Sequence, residues 1–189
     1  MVEYSLTADS PLSGFRETFE STVLEEAANL GVLSMAIPLG GLAALNKALA
    51  DAYGATVPVV GKISSSSDGK IRFLGISSDQ IFIIFTDAQA DIVRAIETTL
   101  KGLGYFTLQS DNWVRLRLSG SKSREALARI CPIDLDPSIF TDDQVSRTVM
   151  EHLGTIIFRD GDDAFILMSA SSSATSFLHA VKTSIQNVT

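Results

Sequence analysis

Residues 71–85 read IRFLGISSDQIFIIF. Two short apolar runs, 71–76 and 80–85, flank Ser77, Ser78 and Asp79. Runs of that length, bounded by turn residues, predict two strands of a β-hairpin. The same grammar returns in residues 154–169, GTIIFRDGDDAFILMS. There the runs 154–159 and 164–169 flank Asp160, Gly161, Asp162 and Asp163, and Asp-Gly is ordinary hairpin-turn chemistry.

Each hairpin sits between helical patterns. Ahead of the first, Leu42, Leu45, Leu49 and Tyr53 recur at spacings of three and four, predicting a helix over 41–53 that Gly54 ends. After it, Thr86 and Gln89 suit a capping box for a helix whose stripe is Ile92, Val93, Ile96 and Leu100. Around the second hairpin, helices are expected over about 122–131 and 173–186, the latter with Phe177, Leu178, Val181 and Ile185 on one face. Further strands are expected over 31–38, 105–109, 113–118 and 144–150. Residues 62–70 read as a polar loop, and Thr22 with Glu25 suggests a helical turn over 22–28. The resulting class is α+β: two similar αββα-type halves with antiparallel strands and helices packed on them. The repeat is one of element order; the residues themselves do not repeat.

Composition bounds the rest. The chain has 189 residues, 46% of them hydrophobic, enough for one packed core or two small lobes. Its net charge of −7 gives no basic footprint, so nucleic acid is not an expected partner. A single cysteine excludes an internal disulfide framework. The first 20 residues have no basic segment followed by an apolar core, as a signal peptide would. Instead they suggest an arm, disordered in isolation or laid against something else, ahead of one domain over 21–189. The longest apolar runs fall well short of the roughly 20 residues that span a bilayer. A cytoplasmic, non-membrane protein is expected.

Cys131 falls late in its helix, where the dipole disfavours a thiolate, and continues the apolar face of Leu127 and Ile130; a core thiol is expected. Ser119-Gly120-Ser121 has too few glycines for a phosphate loop, and Ser121 reads as an N-cap. Gly40 and Gly41 read as a turn into a helix. His152 and His179 lie far apart with no ligand partners, which gives no zinc signature. The 160–163 acids lack the later ligands of a calcium loop, and Asp142-Asp143 reads as a strand lead-in. No catalytic, cofactor-binding or metal residue is nominated in this chain.

Three blocks carry a family resemblance through their order and spacing. Residues 71–84 pair a strand with Leu-Gly, a Ser-Asp turn and a strand bearing an aromatic. Residues 110–120 read SDNWVRLRLSG, and residues 126–137 read ALARICPIDLDP with Phe140 following. Over about residues 30–187 the sequence resembles the gamma subunit of heterotetrameric sarcosine oxidase. It departs from that pattern before the last helix, where residues 169–175 have no arginine, and at Asp136, where the family has histidine. The resemblance implies a lobe like that of the aminomethyltransferase folate-binding domain. It implies an accessory role beside alpha, beta and delta subunits in a complex that oxidatively demethylates sarcosine to glycine. Hydrogen peroxide is released, and the methyl carbon leaves as formaldehyde or passes to tetrahydrofolate. FAD, FMN, NAD and zinc are implied for the other chains, with tetrahydrofolate for the complex as a whole. Two other readings stay open: a stand-alone folate-binding or methyl-transferring protein on the same lobe, and a free binding module that dimerises.

Overall fold

A computed structural model describes residues 9–86 and 90–189. The first half runs β3 (Leu30–Ala36), α1 (Leu42–Tyr53), β4 (Ile63–Ser65), β5 (Ile71–Ser77), β6 (Gln80–Thr86), α2 (Ala90–Thr99) and β7 (Tyr105–Leu108). The second runs β8 (Trp113–Gly120), α3 (Ser123–Ala128), β9 (Val145–Met150), β10 (Leu153–Arg159), β11 (Ala164–Ala170) and α4 (Ala174–Gln186). Two strands precede both halves, β1 (Arg16–Phe19) and β2 (Thr22–Glu26).

Two antiparallel sheets result, in the orders β4-β5-β6-β3-β7 and β9-β10-β11-β8-β2-β1. They stack face to face with the helices outside. Side chains alternate faces along each strand, so Ile81, Ile83 and Phe85 pack under Leu45, Leu49, Ile96 and Leu100 of α1 and α2. Phe82 and Ile84 point the other way, onto Phe158, Ile166 and Met168 of the second sheet. Leu116, Ile157, Phe165 and Leu167 in turn pack under Leu127, Phe177, Val181 and Ile185. A strand covered on both faces has no polar side. This is why the hairpins at 71–85 and 154–169 read as continuous apolar runs.

The α+β class with two similar halves matches the sequence reading, and so do both hairpins and the helices over 42–53 and 174–186. Four expectations are corrected. The helical turn expected over 22–28 is the strand β2, whose Thr22, Leu24 and Glu26 are buried in alternation. Part of the expected N-terminal arm is the strand β1, paired with β2. β2 lies beside β8 just as β7 lies beside β3, so strands from ahead of the first half complete the second sheet. The loop expected over 62–70 holds the short strand β4. α3 stops at Ala128 rather than running to 131, because Pro132 bars helical geometry just upstream. Gln89 of the expected capping box lies outside the described residues.

Candidate functional site

Where the two sheets part company on one side, a cleft of about 370 Å³ opens between β2, β5, β8 and the β10–β11 turn. Strand alternation puts Arg72 and Arg117 on the inner faces of their sheets, and the turn brings Asp160 between them. Arg72 Nη1 lies 2.9 Å from Asp160 Oδ1, and Arg117 Nε lies 2.8 Å from Oδ2. Arg117 Nη1 is 3.6 Å from Glu25 Oε1, whose other oxygen is 2.7 Å from Arg16 Nη1. The Arg72 guanidinium also stacks over Phe158, 4.8 Å from the ring centre. Arg72, Asp160, Arg117, Glu25 and Arg16 thus form one chain of alternating charge, anchored in both sheets. A smaller hollow of about 230 Å³ adjoins it, lined by Lys70, Arg72 and Asp160.

Beside this chain lie two more buried charges. Glu26 accepts from Ser10 Oγ at 2.7 Å, Leu12 N at 3.1 Å and Gly14 N at 2.8 Å, tying residues 10–14 to the sheet. Arg115 donates to the carbonyls of Ala27 and Ser110. Burial holds the Arg115 guanidinium below its usual pKa, against the pull of Glu26 and Asp111.

The residues weighed from sequence fall elsewhere. Cys131 is buried beneath α3 and α4, and burial pushes its thiol pKa up. Ser121 caps nothing: α3 has no side-chain cap, and Ser121 Oγ lies 2.6 Å from Ser21 Oγ. Gly120, at φ +116°, has no room for a phosphate, since a Cβ there would meet the Ser21 carbonyl at 2.0 Å. Its turn makes space for the β1–β2 hairpin. His152 sits at φ +69° in the β9–β10 turn, and exposed His179 lines a groove along α4 with Arg129 and Glu151. Asp142 and Asp143, read as a lead-in, are ion-pair partners. Asp142 Oδ1 is 2.8 Å from Nε of buried Arg159, a charge contact without hydrogen-bond geometry, and Asp143 Oδ2 is 2.8 Å from Lys62 Nζ.

The five-residue charge chain escaped the sequence reading. Its signal was there: one arginine in the apolar strand 71–76, and alternating arginines in 113–118. What was missing was the partner, which only the stacking of the sheets supplies.

No protein-family model matches this chain, and no curated protein sequence does either. Solved structures do. A chain of the heterotetrameric sarcosine oxidase from Corynebacterium sp. U-96, in complex with pyrrole 2-carboxylate, is similar with a TM-score of 0.78 at 20% identity. That match covers 95% of this chain and 95% of that one. The glycine cleavage system aminomethyltransferase T from Bartonella henselae is similar with a TM-score of 0.61 at 12% identity, over 85% of this chain and 45% of that one. At these identities the likeness establishes the fold, an aminomethyltransferase-like pair of stacked antiparallel sheets flanked by helices.

Proposed function

We propose that this chain is an accessory, non-catalytic subunit of the gamma type in a heterotetrameric amine oxidase of the sarcosine oxidase kind. One observation carries the reading. The chain and a chain of such an oxidase match over 95% of each, whereas it spans 45% of the aminomethyltransferase. In the proposed complex, sarcosine is oxidised by oxygen and cleaved to glycine. Hydrogen peroxide forms, and the methyl carbon leaves as formaldehyde or passes to tetrahydrofolate. Alpha, beta and delta chains carry FAD, FMN, NAD and zinc, and this chain, a single domain that takes in β1, lends shape to the assembly.

The residues present agree with that division of labour. Guanidinium groups already engage the carboxylates of Glu25 and Asp160. Leu39, Val59, Val60 and Tyr105 are largely exposed, as residues covered by other subunits are in an isolated chain. Among the described residues, no helix is long and apolar enough to cross a membrane.

Co-expression with flavin-bearing oxidase chains tests the proposal. The expected result is a yellow complex that retains this chain through size exclusion and releases peroxide from sarcosine. A complex that assembles and turns over fully without it would refute the reading. The open cleft beside Glu25, Glu26 and Lys70 favours a second reading, a stand-alone folate binder. Calorimetry of the isolated chain with tetrahydrofolate decides that one.

A further inference from the structure

The two sheets do not cover each other completely. On the inner face of the second sheet, Val149 pairs with Gly154 and Ala170 with Trp113. Gly154 and Ala170 stand opposite each other, one step beyond the Thr155–Ser169 pair. The four residues therefore make one row across β9, β10, β11 and β8. Two small residues form its floor, between a valine and an indole. In the next row on the same face, Ile156 lies beneath the first sheet, while Arg147 at the edge stays exposed. The result is a trough of about 320 Å³, within the size range of small-molecule sites.

Three features of the trough have no structural explanation elsewhere. Gly154 is not in the left-handed region, and a Cβ on it would meet nothing within 4 Å. Neither backbone nor packing calls for glycine there, in a strand where glycine is unfavourable; the space above it is the trough. Trp113 is braced edge-to-face by Phe82, with ring centres 5.8 Å apart, yet its buried Nε1–H finds no acceptor among the described residues. Arg147 has no carboxylate partner among the described residues, as Arg115 and Arg129 have none, whereas Arg16, Arg72, Arg94, Arg117, Arg124 and Arg159 are paired.

We infer that this trough binds a small carboxylate carried on a flat apolar ring. The ring lies on the Gly154–Ala170 floor against the Trp113 wall, and Arg147 grips the carboxylate through two parallel N–H donors. Gly154 and Ala170 stand on neighbouring strands, one spacing of roughly 5 Å apart, so the floor seats one ring with its acid group. The inference is independent of the role proposed above.

Trp113 is the only tryptophan, so its emission reports on the site directly. The full chain is titrated with benzoate, and with benzamide as the uncharged analogue. Benzoate is expected to change the emission saturably, with half-saturation at or below about 1 mM. Benzamide and the Arg147→Gln variant should each weaken the response at least about tenfold, the loss of one charge-assisted contact. Gly154→Val, which fills the floor, should abolish it with an unchanged far-UV dichroism spectrum. A response that stays linear to about 10 mM, an equal response to benzamide, or full binding by Arg147→Gln would each overturn the inference. Arg147 is exposed, so that variant's folding is not in question.

Discussion

Arg72 and Asp160 stand 88 residues apart in the chain and 2.9 Å apart in space. One belongs to the first half and the other to the second. Asp160 is also shared with Arg117, so a single carboxylate joins two guanidinium groups and the two sheets. Asp160→Ala leaves Arg72 without its carboxylate and Arg117 with Glu25 alone. Arg72 and Asp160 are about three-quarters buried, which puts the cost between that of an exposed pair and that of a fully buried one, about 2 kcal/mol. Urea unfolding should show the midpoint falling with an unchanged slope. A double-mutant cycle with Arg72→Met should show coupling of roughly 1 kcal/mol. Additive single effects would mean that the pair does not join the halves.

The strands ahead of the first half are part of the core. Leu24 of β2 is fully buried against Val114, Leu116 and Phe177. Leu24→Ala should cost about 3 kcal/mol through lost transfer energy and a cavity. Deleting residues 1–20 removes β1 and the partners of Glu26, exposing the edge of β2. A detachable arm would be lost without effect. The fold instead predicts a lower thermal midpoint and a greater tendency to associate, both measurable by calorimetry and light scattering.

Asp143 should titrate low. Hydrogen bonds from Lys62 and then Thr141 hold its carboxyl below the ordinary value of 3.8. A depressed folded-state pKa contributes stability that is fully present above the unfolded value. That contribution is lost as pH falls through the lower folded value. Carbon-detected NMR should therefore place the Asp143 midpoint below 3.8. Lys62→Met should move it back up, and so should high salt, because the pair is exposed and screened. A midpoint unmoved by Lys62→Met would assign the shift to Thr141 alone.

The sequence made some levels of this structure readable and hid others. Hairpins 71–85 and 154–169 were plain because strands buried on both faces leave long apolar runs. Helices α1 and α4 were plain because each buries a single stripe. β2 was hidden: residues 22–26 offer a capping-box pattern locally, and only the open edge of β8, some 90 residues on, makes a strand the better state. The short strand β4 was hidden for the same reason, since its pairing with β5 lends it order that its serine-rich sequence does not suggest. The charge chain required the sheets to stack before Arg72 could meet Asp160. The trough required register as well, because Gly154 and Ala170 are ordinary residues until they stand opposite each other.

The β9–β10 turn holds correctable strain. Glu151 and His152 both adopt positive φ, +46° and +69°, in the two-residue loop of an antiparallel hairpin. Such loops favour Asn-Gly because ordinary side chains crowd the backbone there, at about 1 kcal/mol per residue. Glu151→Asn with His152→Gly should therefore raise stability by about 1 kcal/mol, after the flexibility that glycine adds to the unfolded chain. Thermal unfolding should show the gain, and His152→Gly alone should supply most of it. His152→Pro, which fixes φ near −65°, should do the opposite and destabilise the hairpin. A stabilising proline would mean that the turn does not take this form.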